Sequence, residues 1–153
     1  MPEPELNVPS RDLLVIGYGN DLRGDDGVGR KVAEAVAELN LPRVRVIMDH
    51  QLAPEMSDPV SQASLVIFVD AAVDATEVQL RKLEPAPTGR ILTHAPDPRA
   101  VLALARDVFG HCPEAWWLTI PIAKMDFSTE LSPLAQSGLR MAVEKIKALA
   151  GAR

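Results

Sequence analysis

The run Leu65, Val66, Ile67, Phe68 and Val69 constrains the fold more than any other part of this chain. Five apolar residues in succession, three of them β-branched, leave no face for water. Strands of that kind are covered on both sides, as in parallel sheets. The segments around it alternate in the same sense. Leu13, Leu14, Val15 and Ile16 form a second buried strand, closed by a turn at Gly17, Tyr18, Gly19 and Asn20. Val28, Val32, Val36 and Leu39 then recur at helical spacing, with Asp25 or Asp26 as candidate cap and Asn40 and Pro42 as stop signals.

Further along, Val44, Val46 and Met48 lead a strand to Asp49, and Pro54, Glu55 and Met56 open a short helix kinked at Pro59. Residues 77–83 read as a half-exposed strand, and Ile91, Leu92 and Thr93 deliver His94. Asp97 before Pro98 has the form of an N-cap followed by proline in the first helical turn. That helix places Val101, Leu104, Ala105 and Val108 on one face and stops at Gly110. Residues 116–122 make another strand, with Trp116 and Trp117 divided between its faces. Ser132 and Pro133 repeat the cap signal for a last helix closed by Gly151. The expected fold class is α/β: a single-domain, three-layer sandwich with a mostly parallel twisted sheet and helices on both faces. The domain spans residues 1–153, with 1–11 as a flexible N-terminal tail.

Charge and composition narrow the function. A net charge of -5 gives no general attraction to phosphates, so nucleic acid is not an expected partner. No apolar run approaches the ~20 residues that cross a bilayer, so no membrane association is expected. Met1 to Ser10 lack a basic and an apolar region, so they do not read as a signal peptide. With one cysteine, Cys112, an internal disulfide and a cysteine-based zinc cluster are excluded, and a reducing cytoplasm is the expected compartment. Cys112 has no neighbouring base in sequence and is not an expected nucleophile.

Ligands of open α/β sheets bind beyond the carboxyl ends of the strands. Asp26 follows the first strand, Asp70 closes the apolar run, and His94 follows a later one. Two carboxylates and an imidazole suit a borderline divalent ion such as zinc or nickel and leave a coordination position open. Each also has a plainer reading: Asp26 as a cap, Asp70 as a turn former, His94 as a structural histidine. His50 and Glu55 can reach the same rim as supporting groups. A dinucleotide site is the competing reading of the glycine turn. It fails because the third glycine of the fingerprint would fall on Leu22, and because Asp25 and Asp26 would repel a pyrophosphate at the helix start.

The stretch Gly17-Tyr18-Gly19-Asn20-Asp21-Leu22-Arg23-Gly24-Asp25-Asp26-Gly27-Val28-Gly29 resembles the N-terminal signature of the nickel-iron hydrogenase maturation proteases. The likeness continues through Leu65 to Asp70, through Thr93 and His94, and loosely through Leu131, Ser132 and Pro133. It implies an endopeptidase, grouped with aspartyl proteases, that removes a C-terminal extension from the nickel-loaded large-subunit precursor of a hydrogenase. It also implies Asp26, Asp70 and His94 as the catalytic and metal-binding set. The nickel is supplied by the substrate, and other divalent ions can occupy the site in vitro. Many relatives carry Glu where this chain has Asp26, one methylene longer. Gln51, Leu52, Ala53, Pro54 and Glu55 resemble the branch that serves bidirectional, NAD-linked hydrogenases, whereas residues 123–129 match the family poorly. A monomer that docks transiently on its precursor is expected. The competing classes are a non-catalytic nickel or precursor chaperone and, less favoured, a nucleotide-binding enzyme.

Overall fold

The computed structural model describes residues 12–87, 97–123 and 129–151. The expected tail at 1–11, the segment 91–93 with His94, and most of the loop at 123–129 lie outside the described residues. Five strands form one sheet: β1 (Leu13–Tyr18), β2 (Val44–Asp49), β3 (Leu65–Ala72), β4 (Gln79–Leu83) and β5 (Glu114–Pro121), in the order β2-β1-β3-β5-β4. All pairings are parallel except β4 with β5. The helices are α1 (Val28–Glu38), α2 (Ser57–Ser61), α3 (Pro98–Phe109) and α4 (Pro133–Leu149). Single 3-10 turns precede α1 at Gly24–Gly27 and α2 at Pro54–Met56.

The apolar run behaves as its composition demands. Every residue from Leu65 to Val69 is fully buried. Leu65, Ile67 and Val69 face a cluster built with Val28, Val32 and Val36 of α1 and Ala142 and Ile146 of α4. Val66 and Phe68 face the opposite cluster, with Val60 of α2 and Val101, Leu102 and Ala105 of α3. Two apolar layers on one sheet make the three-layer sandwich that the alternating pattern predicts. The tryptophans divide as expected: Trp116 packs against the first cluster and Trp117 against the second.

Several boundaries move, each for a hydrogen-bonding reason. β1 does not stop at Ile16 but continues through Gly17 and Tyr18, which keep register with Met48 and Asp49 of β2. β3 runs past Asp70 to Ala72, because β5 pairs with it as far as Pro121. β5 itself starts at Glu114, opposite Leu65. The strand expected at 77–83 begins at Gln79 and forms the antiparallel edge. Leu39 and Val108, expected on buried helix faces, are exposed near the ends of α1 and α3. The cap signals at Asp97 and Ser132 are correct: their side chains accept from the amides of Ala100 and Ala135.

After β1 the chain crosses to β2 on one side, and it later returns to β3 on the other. The switch point therefore lies between the carboxyl ends of β1 and β3. Glycine allows α1 to begin there at very short range. A Cβ on Gly29 would strike the carbonyl oxygens of Val69 and Tyr18. Gly19, at φ +148°, passes directly beneath the Asp26 carbonyl, where a Cβ would collide. Small residues thus press the turn carrying Asp25 and Asp26 onto the end of β3.

Candidate active site

Neither acid of the pair caps α1. The residue before the helix is Gly27, and no side chain accepts from its first amides. Asp25, 0% exposed, instead reaches across the fold. One carboxylate oxygen accepts from the Ser132 amide at 2.7 Å, and the other accepts from the Ser132 hydroxyl at 2.6 Å and the Ala123 amide at 2.7 Å. Ser132 Oγ in turn accepts from the Ala135 amide at 3.2 Å. One serine therefore caps α4 and fastens it to the turn before α1. A carboxylate that accepts several charge-assisted bonds is a strong structural tie, so Asp25 is already occupied with holding the fold.

Asp26 is half-buried at the rim, and its Oδ2 accepts from the Asn20 amide at 3.0 Å. Asp70 lies across the switch point. Its Oδ1 accepts from the amide of Ala71 at 2.7 Å. Its pKa is raised from 3.8 to about 6: burial is the main cause, the Ala71 and Tyr18 hydrogen-bonding groups partly oppose it, and the negative charge of Asp26 adds to it. Two carboxylates close enough to repel, one of them poorly solvated, form an arrangement that a divalent cation would relieve. Oxygen donors of this kind, joined by an imidazole, fit a borderline ion. Among the described residues no group of three potential ligands forms. The pair is two-thirds of the expected set, and His94 lies outside the described residues.

Around Asp70 the sheet carries polar groups that sequence reading assigned to the turn or to packing. Tyr18, Asp70 and Thr119 occupy one row across β1, β3 and β5, and Trp117 lies one step behind, beside Phe68. Among the described residues, the Tyr18 hydroxyl, the Trp117 indole nitrogen and the Thr119 hydroxyl are buried without a well-formed hydrogen bond. Burial, and next the nearby Asp70 charge, hold the Tyr18 phenol far above its ordinary pKa. Arg81 of the edge strand lies over the Trp117 ring, 5.6 Å from its centre. The signal that could have found this cluster is parity. Once β1 includes Tyr18, parallel pairing puts it in the Asp70 row.

His50 and Glu55 are exposed near the carboxyl end of β2. His50 Nδ1 sits 3.4 Å from Arg30 Nη1, and Arg30 also pairs with Asp21 at 3.2 Å. His111 is exposed, with Nε2 3.2 Å from the Ala63 carbonyl. Cys112 is half-buried, and burial raises its thiol pKa, which makes it a poorer nucleophile.

The fold and rim define a class: a single-domain α/β sandwich on a mostly parallel sheet, with two electrostatically coupled carboxylates beside its topological switch point. No family model and no curated protein matches the sequence. Solved structures do match the fold. The [NiFe] hydrogenase maturation protease HycI from Thermococcus kodakarensis superposes with a TM-score of 0.72 at 22% identity, covering 92% of this chain and 94% of that one. The hydrogenase maturating endopeptidase HybD from E. coli gives 0.70 at 20% identity, covering 89% and 90%. A hydrogenase 2 maturation peptidase from a Thaumarchaeota archaeon gives 0.68 at 23%, covering 92% and 99%. At these identities the likeness is one of fold, and it extends over nearly the whole length of each protein.

Proposed function

We propose that this protein is an endopeptidase that matures a nickel-iron hydrogenase by removing a C-terminal extension from its nickel-loaded large-subunit precursor. One observation carries the reading. The charge of Asp26 acts on Asp70, 44 positions away in the numbering, beside the switch point of a fold shared with hydrogenase maturation proteases, and this supports the reading. With His94 they form the proposed catalytic and metal-engaging set. The nickel belongs to the substrate, so it serves to bring the precursor's C-terminal segment to the rim. There Asp70, with a pKa near 6, can hold or release a proton close to neutrality.

The segment Gln51 to Glu55, just beyond β2, supports a bidirectional, NAD-linked hydrogenase as the source of the precursor. A cytoplasmic monomer that docks transiently is consistent with this role. Among the described residues no helix is long and apolar enough to cross a membrane.

The test is to incubate purified protein with nickel-loaded precursor and weigh the product. The expected result is loss of a short C-terminal peptide by the wild type, and none by folded Asp26→Ala, Asp70→Ala or His94→Ala. Normal processing by all three variants would overturn the site. Binding without cleavage by the wild type would instead identify a chaperone. Equal cleavage of nickel-free precursor would remove the recognition role of the metal.

A further inference from the structure

Tyr18 and Trp117 present a puzzle that the proposed reaction does not absorb. Each buries a polar hydrogen-bonding atom with no well-formed partner, although the Tyr18 hydroxyl lies near enough to interact with both Trp117 and Asp70. Leaving one such group unsatisfied costs about 1–3 kcal/mol, so adjacent orphans call for an explanation. Their chemistry allows only one order. An indole N–H can only donate, an ionised carboxylate can only accept, and a phenol does both. A line through the three must therefore run from Trp117 to Tyr18 to Asp70. Asp70 has room at its end of the line: Ala71 engages one oxygen, and an ionised carboxylate offers about four lone-pair sites.

The strands fix the direction of approach. Tyr18 and Asp70 directly follow the paired residues Gly17 and Val69 on adjacent parallel strands; Tyr18 packs on the face covered by α2 and α3, and strand alternation gives Asp70 the same face as Phe68. Trp117 is clamped by Arg81 on its ring and by the second apolar cluster. Tyr18 and Trp117 thus pack on the same apolar cluster from strands on either side of β3, the strand that carries Asp70.

We infer that Tyr18 is a positioning residue: its hydroxyl, supported by the Trp117 indole N–H, donates to the Asp70 carboxylate and fixes the orientation in which that group meets a divalent cation shared with Asp26. The inference rests on the Asp26–Asp70 part of the proposed site and is independent of which precursor is processed. Partners that orient a ligating carboxylate in this way typically contribute 10–100-fold to metal affinity.

The experiment is a zinc titration of the purified full-length chain. Calorimetry gives the affinity, the NMR resonance of the Trp117 indole N–H reports the line itself, and thermal melting reports the fold. In the wild type, zinc is expected to shift the indole resonance as Asp70 draws the Tyr18 hydrogen. Tyr18→Phe is expected to keep the fold, weaken zinc binding about 10-fold and abolish the zinc-dependent indole shift. Trp117→Phe carries the test if Tyr18→Phe does not fold, and it too is expected to bind zinc more weakly than the wild type. Wild-type affinity in the folded variants, an indole resonance indifferent to zinc, or no zinc binding by the wild type would each overturn the inference. If the titrations behave as expected while nickel-loaded precursor stays uncut, the protease reading alone has failed.

Discussion

Two carboxylates stand on opposite sides of one rim and live under opposite conditions. Asp25 is fully buried and accepts from two amides and a hydroxyl, so its charge is compensated within the fold. Asp70 accepts from one backbone amide, feels the charge of Asp26, and is flanked by buried polar groups that make no well-formed hydrogen bond among the described residues. The first arrangement holds the molecule together. The second carries an electrostatic penalty that a positive ligand would remove, which is how ligand-ready sites differ from structural ties.

The comparison breaks most decisively at Asp25. Asp25→Ala leaves the buried Ser132 amide and hydroxyl without their acceptor, releases the Ala123 amide, and is expected to lower stability by about 3–5 kcal/mol in chemical denaturation. A loss below ~1 kcal/mol would mean that water replaces the carboxylate and that the tie is weak.

The pH dependence probes the other side. The pKa of Asp70 is higher in the folded protein than in the unfolded chain, so its ionised form opposes folding. The group imposes no penalty below about pH 3.8. The penalty grows as pH rises through about 6 and then levels off. A displacement of roughly two units corresponds to on the order of 3 kcal/mol, read by comparing denaturation of the wild type and Asp70→Asn across that window. Parallel curves would show that Asp70 ionises without strain.

At neutral pH alone, Asp70→Asn is expected to raise stability by about 1–3 kcal/mol while losing divalent-cation binding, a stability–function trade-off opposite in sign to Asp25→Ala. Ser132→Ala removes a helix cap and one of the Asp25 bonds, and it should lower stability by about 1–2 kcal/mol. As a baseline, Arg43→Ala breaks an exposed 3.1 Å pair with Asp12 and should change stability by less than about 0.5 kcal/mol.

Much of this architecture was legible because burial writes itself into composition. The 65–69 run announced a central strand, and Asp97-Pro98 and Ser132-Pro133 announced two helix starts that the structure reproduces. Strand ends were less legible, since they depend on where a neighbouring strand stops pairing, and that is not a local property of Tyr18 or Ala72. The acidic pair shows the limit most clearly. From local sequence either Asp25 or Asp26 could be a cap, and neither is. What Asp25 does is set by Ser132, 107 positions away, and no periodicity carries that information. Asp26 and Asp70 were nominated from the strand ends alone, and the structure records one link between them, the Asp26 charge that adds to the raised pKa of Asp70. The roles of Tyr18 and Trp117 required the register, which follows from the pairing of whole strands.

The Asp25 tie has a consequence for how the protein comes into being. Its partners lie 98 and 107 positions downstream, so a chain emerging from the ribosome holds the first turn without its anchors until the last helix arrives. The turn gains these anchors only once residues 123–132 have been made, and a chain lacking α4 should have no competence to capture a cation. Pulse-labelled hydrogen exchange during refolding should find the amides of Ala123 and Ser132 protected after those of β1 and β3; earlier protection would contradict that sequence of events.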